Sequence, residues 1–211
     1  METPPGPKEF SNNQNISFTS LAGWLLTEGF SIIPLHKCDE RDKCKKPLVK
    51  WEEYQKRPPT PEEVREWAGK YGSKLGGWAV LGGPASGNLV VLGFEHEDAY
   101  RWFRDNAPDA VKALLDRAMK VLTGVRSDGK RGVHVYIRLP PNYKLDNTDI
   151  ILTVQINATD PVKKEPLNKL EIRYEGRYVV GPGYQHYSGV KYCVEAGPSD
   201  TPVEVRCDRF T

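Results

Sequence analysis

An apolar run ending in Leu92-Gly93-Phe94-Glu95-His96-Glu97-Asp98 puts carboxylates where a metal ion could be held. Side chains alternate along a strand, so positions 93, 95 and 97 would share one face. Two carboxylates on that face, Glu95 and Glu97, would sit close enough to share hard divalent cations, which take oxygen ligands. The plainer reading, and the commoner one for such a cluster, is that these acids start a helix, whose dipole favours negative charge in its first turn.

Residues 123–136 form a second candidate, a Gly-rich basic loop feeding directly into a strand. Glycines such as Gly132 let the backbone approach an anion, and Lys130 with Arg131 could neutralise a triphosphate. His134 and Tyr136 alternate with Val133, Val135 and Ile137, so they face away from these apolar side chains. A lone histidine in a strand is more often structural, but the basic lead-in favours a role for this one. The third candidate is Lys169-Leu170-Glu171-Ile172-Arg173, where Glu171 and Arg173 share the face opposite Leu170 and Ile172. Charges on one strand face are usually solvated. A Gly181-Pro182-Gly183 corner follows, then His186-Tyr187-Ser188-Gly189.

Such residues need a scaffold, and the chain supplies strands in excess of helices. Phe18, Leu21, Trp24 and Leu25 recur at helical spacing and Gly29 stops that helix. Thr60-Pro61-Glu62-Glu63 reads as a helix start, with Thr60 as N-cap, Pro61 first in the helix and Glu63 closing a capping box. Residues 97–105 and 109–119 read as helices broken by Pro108. Residues 30–35, 121–124, 132–139, 149–156, 169–174 and 177–182 read as strands. The apolar runs 77–83 and 88–95, joined by Pro84-Ala85-Ser86-Gly87, read as a β-hairpin. The class expected is α+β, with mixed, mostly antiparallel sheets flanked by helices.

The four cysteines fall into two pairs, Cys38/Cys44 and Cys193/Cys207. In a mesophilic cytosol they would be free thiols; a disulfide suits an oxidising or hyperthermophilic setting. His36, Cys38 and Cys44 could begin a zinc site, although structural zinc wants four closed ligands and the spacing is not a C-x2-C knuckle. The charge of +2, from 30 basic and 28 acidic residues, is too balanced to indicate nucleic-acid binding without a local basic patch. No apolar run is long enough for a membrane span. The polar, Pro-rich residues 1–16 lack the apolar centre of a signal peptide and read as a disordered lead-in to one domain over 17–211. The cytoplasm is the expected location, and the ending at 208–211 suits an excised domain.

Each signal is weak alone, and their order is more specific. It resembles the archaeo-eukaryotic primase superfamily, in its plasmid- and phage-type primase–polymerase branch. The matching segments are Gly29-Phe30-Ser31-Ile32-Ile33-Pro34-Leu35, then Lys45-Lys46-Pro47 leading to Trp51, then the strand 86–92 followed by Gly93-Phe94-Glu95. Gly132-Val133-His134, Glu171 and Tyr178-Val179-Val180-Gly181-Pro182 complete the order, so the resemblance runs from about residue 18 to about 195.

The resemblance implies template-dependent nucleotidyl transfer by a DNA primase/polymerase, in replication of a plasmid, virus or archaeal chromosome. It makes Glu95, Glu171 and His134 catalytic, with Glu95 and Glu171 on Mg2+ or Mn2+ and His134 on the nucleotide phosphates, assisted by Lys130 and Arg131. Lys45, Lys46 and Lys50 would track template phosphates, and Trp51 and Tyr54 could stack on bases, though both suit packing better. Expected partners are template DNA or primer, an NTP or dNTP, and a fused or associated helicase. Gly93 stands where the family has an aspartate. The metal site then slides to Glu95 and Glu97, or the chain is a catalytically inactive form, or it is an accessory subunit that binds nucleic acid or nucleotide.

Overall fold

In the computed structural model of the chain, residues 8–39, 44–126, 128–145, 149–154 and 168–207 are described. Helix α1 (Lys8–Thr27) buries Leu21, Ala22, Trp24 and Leu25, and the turn that follows it passes through Gly29, whose φ of 76° is open to glycine at little cost. It starts at Lys8, so the lead-in expected over 1–16 is helical in its second half; residues 1–7 lie outside the described residues. Helix α2 (Pro61–Tyr71) begins as read: the Glu63 N–H donates to Thr60 Oγ1 at 3.2 Å and the Thr60 N–H to Glu63 Oε2 at 2.7 Å. Its buried side, Val64, Trp67 and Ala68, packs near Tyr54 and Trp78.

Two sheets carry the architecture, and every paired strand in them is antiparallel. Strands β1 (Ile32–His36) and β2 (Leu75–Leu81) belong to the smaller sheet. The larger one begins with β3 (Leu89–Phe94), β4 (Met119–Val125), β5 (Arg131–Arg138), β6 (Asp149–Thr153) and β7 (Lys169–Arg173). Strand β8 (Tyr178–Val180) returns to the smaller sheet, ordered β1-β2-β8, and β9 (Cys193–Ala196) completes the larger, ordered β6-β7-β3-β5-β4-β9. The class is α+β. The far end of the sixth expected strand, residues 155–156, lies outside the described residues.

The hairpin expected between 77–83 and 88–95 does not form. Gly83 and Leu89 exchange backbone hydrogen bonds of 2.7 and 3.1 Å, and then β2 and β3 part into different sheets. The turn is tied elsewhere: buried Ser86 accepts from the Ser31 N–H at 2.8 Å, which docks it on the start of β1. Every residue of β2 is buried, a pattern that requires cover on both faces of the sheet, and β2 is its central strand, between β1 and β8.

Strand alternation divides the larger sheet between two cores. Val90, Phe94, Val133, Val135, Ile137 and Leu170 face helices α3 (Glu97–Asn106) and α4 (Asp109–Arg117), which contribute Ala99 and Leu115. Leu89, Val91, Met119, Val121 and Tyr136 face the core shared with the smaller sheet and α1. Disulfides join Cys38 to Cys44 and Cys193 to Cys207. With those sulfurs bonded to each other, Cys38 and Cys44 have no thiolate to offer zinc, and the site considered with His36 is replaced by a covalent loop closure. Among the described residues no helix is long and apolar enough to cross a membrane.

Candidate functional site

Strand β3 runs between β7 and β5, and one rung of this three-strand ladder gathers the sequence candidates. Gly93 pairs with Glu171 on one side and His134 on the other. Paired residues point to the same face, with Cα atoms roughly 5 Å apart. Glu171, Gly93 and His134 therefore form a row on the face turned toward the smaller sheet. Glu95 follows on the same parity just past the end of β3. Glu95, Gly93, His134 and Glu171 all line one cleft of about 300 Å³.

Three cations line the same cleft: Lys45, Arg126 and Arg173. Arg173 lies two residues from Glu171 on the same strand face and binds its carboxylate through Nε at 3.0 Å and through Nη2. Arg126 Nε donates to the Glu95 carbonyl at 2.6 Å. Lys45 arrives from a distant loop with φ at 66°, unusual for a residue other than glycine. Two tyrosines hold it there. Its N–H donates to Tyr184 Oη at 2.8 Å, and its carbonyl accepts from the Tyr178 hydroxyl at 3.4 Å. Its ammonium lies 5.8 Å from the centre of the Tyr192 ring. His186 fits against the backbone at Gly124, where a Cβ would fall 2.2 Å from the ring.

The other expected residues sit apart from this cleft. Lys130 belongs to the tight turn between β4 and β5 and pairs with Asp98 at 2.6 Å. Arg131 donates to the carbonyls of Thr123 at 2.6 Å, Leu122 at 3.2 Å and Lys191 at 2.5 Å, which ties strands together. Gly132 serves packing: a Cβ there would meet Phe94 O and Thr123 Oγ1 at 2.8 Å. Glu97 opens α3, pairs with Arg101 at 2.7 Å and accepts from the Arg131 N–H at 3.3 Å. The strand stops at Phe94, so the alternation that would bring Glu97 beside Glu95 stops too. Lys46 and Lys50 are exposed and do not line the cleft. Tyr54 is buried against Trp67, and Trp51 packs edge-on to Tyr178, so both are packing residues.

Burial above all, with Arg173 and Lys45 nearby, pushes the His134 imidazole down to about 3. Burial, Lys45, Arg126 and Arg131 push His186 to about 4. Burial, with Arg126 and Arg173 nearby, also holds Lys45 below the usual lysine range. Both imidazoles are therefore neutral near neutral pH, and positive charge comes from Lys45, Arg126 and Arg173. The unfolded chain takes up these two protons near about 6.5, well before the folded one. The unfolded state thus binds more protons through this window, and stability falls as pH drops from about 6.5 toward 4, by up to about 1.4 kcal/mol per pH unit per histidine. Urea midpoints measured across this range should decline, and less steeply in His134→Gln; an equal slope in the two proteins would contradict the assignment.

The donor set does not suit a divalent-metal centre. Gly93 has no ligand atom, the Glu171 carboxylate is held by Arg173, and three cations share the cleft with two acids. Among the described residues, no group of three or more His, Cys, Asp or Glu is arranged to hold a metal ion. The cleft is better suited to an anion, with three cations and the rings of His186, Tyr187 and Tyr192 in its lining.

A family model described as bifunctional DNA primase/polymerase, N-terminal, matches residues 22–205, a span that contains every cleft residue named above. No curated protein matches the chain.

Proposed function

The chain belongs to the bifunctional DNA primase/polymerase family, and on that premise we propose that its cleft binds a nucleoside triphosphate for template-directed nucleotidyl transfer, with the reaction curtailed at Gly93. The observation that carries this reading is the row Glu171–Gly93–His134 across three neighbouring strands, flanked by Lys45, Arg126 and Arg173. Phosphoryl transfer is mostly positioning and charge stabilisation, so fixed cations around a phosphate chain are the part a protein must supply. Lys45 and Arg126 neutralise the phosphates. Arg173 does so once it releases Glu171. His134, neutral and lining the cleft, meets a phosphate oxygen as a hydrogen-bond donor. Glu95 and Glu171 are the remaining carboxylates of the family's metal position. Lys46 and Lys50, exposed on the segment that carries Lys45, meet the phosphates of a template or primer.

One observation favours a second reading. With Gly93 in the row and Arg173 on Glu171, the chain acts as an accessory that holds nucleotide or primer without joining nucleotides. Calorimetric titration with ATP and dATP in EDTA, repeated with Mn2+, tests the shared core of both readings. The expected result is binding that survives EDTA; its absence in both conditions would end both. Primer extension on a templated substrate then separates them, with slow incorporation expected from the first reading and none from the second.

A further inference from the structure

The cleft has a second lining that phosphates do not explain. Aromatic rings make it up. His134 lies 6.1 Å from Tyr192, and Tyr192 lies 6.1 Å from His186. His186 in turn packs against Tyr187 with ring centres 3.8 Å apart and planes tilted by 39°. The first three rings are held within the fold. His186 is pinned by Gly124 behind it and by Ser188, whose hydroxyl lies 2.9 Å from Nδ1. Tyr187 differs: it is 61% exposed, while its inner side rests on an ordered ring. A large exposed aromatic backed by a fixed ring, beside a cationic pocket, is a surface on which a planar group can stack at little cost in side-chain entropy.

We propose that Tyr187, supported from behind by His186, is the stacking platform for the base of the nucleotide whose phosphates lie on Lys45, Arg126 and Arg173. The inference rests on the triphosphate reading above and deepens it, because it assigns the base a place on the exposed ring while the phosphates lie on the cations. Stacking on a ring is tolerant of base identity, since every base has a π-face. The platform therefore distinguishes a nucleotide from a bare polyphosphate and treats purine and pyrimidine triphosphates nearly alike.

The test compares two probes in EDTA, ATP and inorganic tripolyphosphate, on the intact chain and on Tyr187→Ala and Tyr187→Trp. Thermal melts of both variants are expected to match the parent's, because the substituted side chain is exposed. Stacking of one base is worth about 1–3 kcal/mol, so Tyr187→Ala is expected to weaken ATP binding at least about 5-fold. Tripolyphosphate affinity should stay within about 2-fold, because no base is present to stack. Tyr187→Trp should restore ATP affinity. If the parent binds both probes and Tyr187→Ala binds ATP equally well, the platform is refuted and the triphosphate site stands. If Tyr187→Ala loses both probes alike, Tyr187 acts through the cations and the platform is again refuted. If the parent binds neither probe, the triphosphate reading fails and this inference with it.

Discussion

Gly93→Asp is expected to raise Mn2+-dependent primer extension by at least about 100-fold, since even supporting partners of metal ligands are worth about 10- to 100-fold and a ligand itself more. The position accepts the change. Gly93 does not use the left-handed backbone conformation, and an added Cβ would meet Glu171 O at 3.6 Å, the His134 ring at 3.7 Å and Glu171 Cβ at 4.0 Å, ordinary contacts. The new carboxylate would stand between Glu171 and His134 and near Glu95, so three acids would face one point. Without a cation, these like charges repel and the variant should melt below the parent. With Mn2+ the repulsion becomes binding, and the melting temperature should rise with metal concentration as mass action requires. The parent should show little such dependence. A folded Gly93→Asp protein that neither melts higher with Mn2+ nor extends a primer faster would show that these strands do not form the family's metal position.

The second large effect concerns Lys45, and the informative change is to glycine. Lysine at a φ of 66° carries a backbone penalty of roughly 1–2 kcal/mol that glycine avoids. Glycine also gives the unfolded chain more freedom, which offsets roughly 0.4–1 kcal/mol of that gain. Lys45→Gly should therefore melt within a few degrees of the parent. It removes a charge-assisted contact worth about 1.5–3 kcal/mol, so triphosphate affinity should fall about 10- to 100-fold. Unchanged ATP affinity in a well-folded Lys45→Gly protein would remove Lys45 from the site.

Strand parity showed which candidate residues share a strand face, and the family resemblance is what joined them into one site. Glu171 and Arg173 share a face because they are two apart, and His134 lies opposite Val133 and Val135 for the same reason. Register between strands is not local, so the rung that lines Gly93 up with both became visible only in the fold. Lys130 and Arg131 show how a composition argument goes astray. Basic residues in a Gly-rich turn look ready for phosphate, yet Asp98 and three carbonyls already occupy them. Parity held a warning, since Arg131 is in step with Val133 and not with His134. Lys45 and Arg126 carry the charge instead, and both reach the cleft from loops without periodic pattern. The hairpin reading failed because two apolar runs around a tight turn look alike whether they pair with each other or with strands elsewhere. Strand β9, four residues long, followed a Gly- and Tyr-rich corner that gave no alternation to read.

The seat of His186 against Gly124 has a consequence for descent. A hydrogen at position 124 and a ring at position 186 occupy complementary halves of one space. Neither position can drift alone: a side chain gained at 124 evicts the ring, and a ring lost at 186 opens a hole that a larger residue at 124 would fill. Among related chains the two sites should change together or not at all.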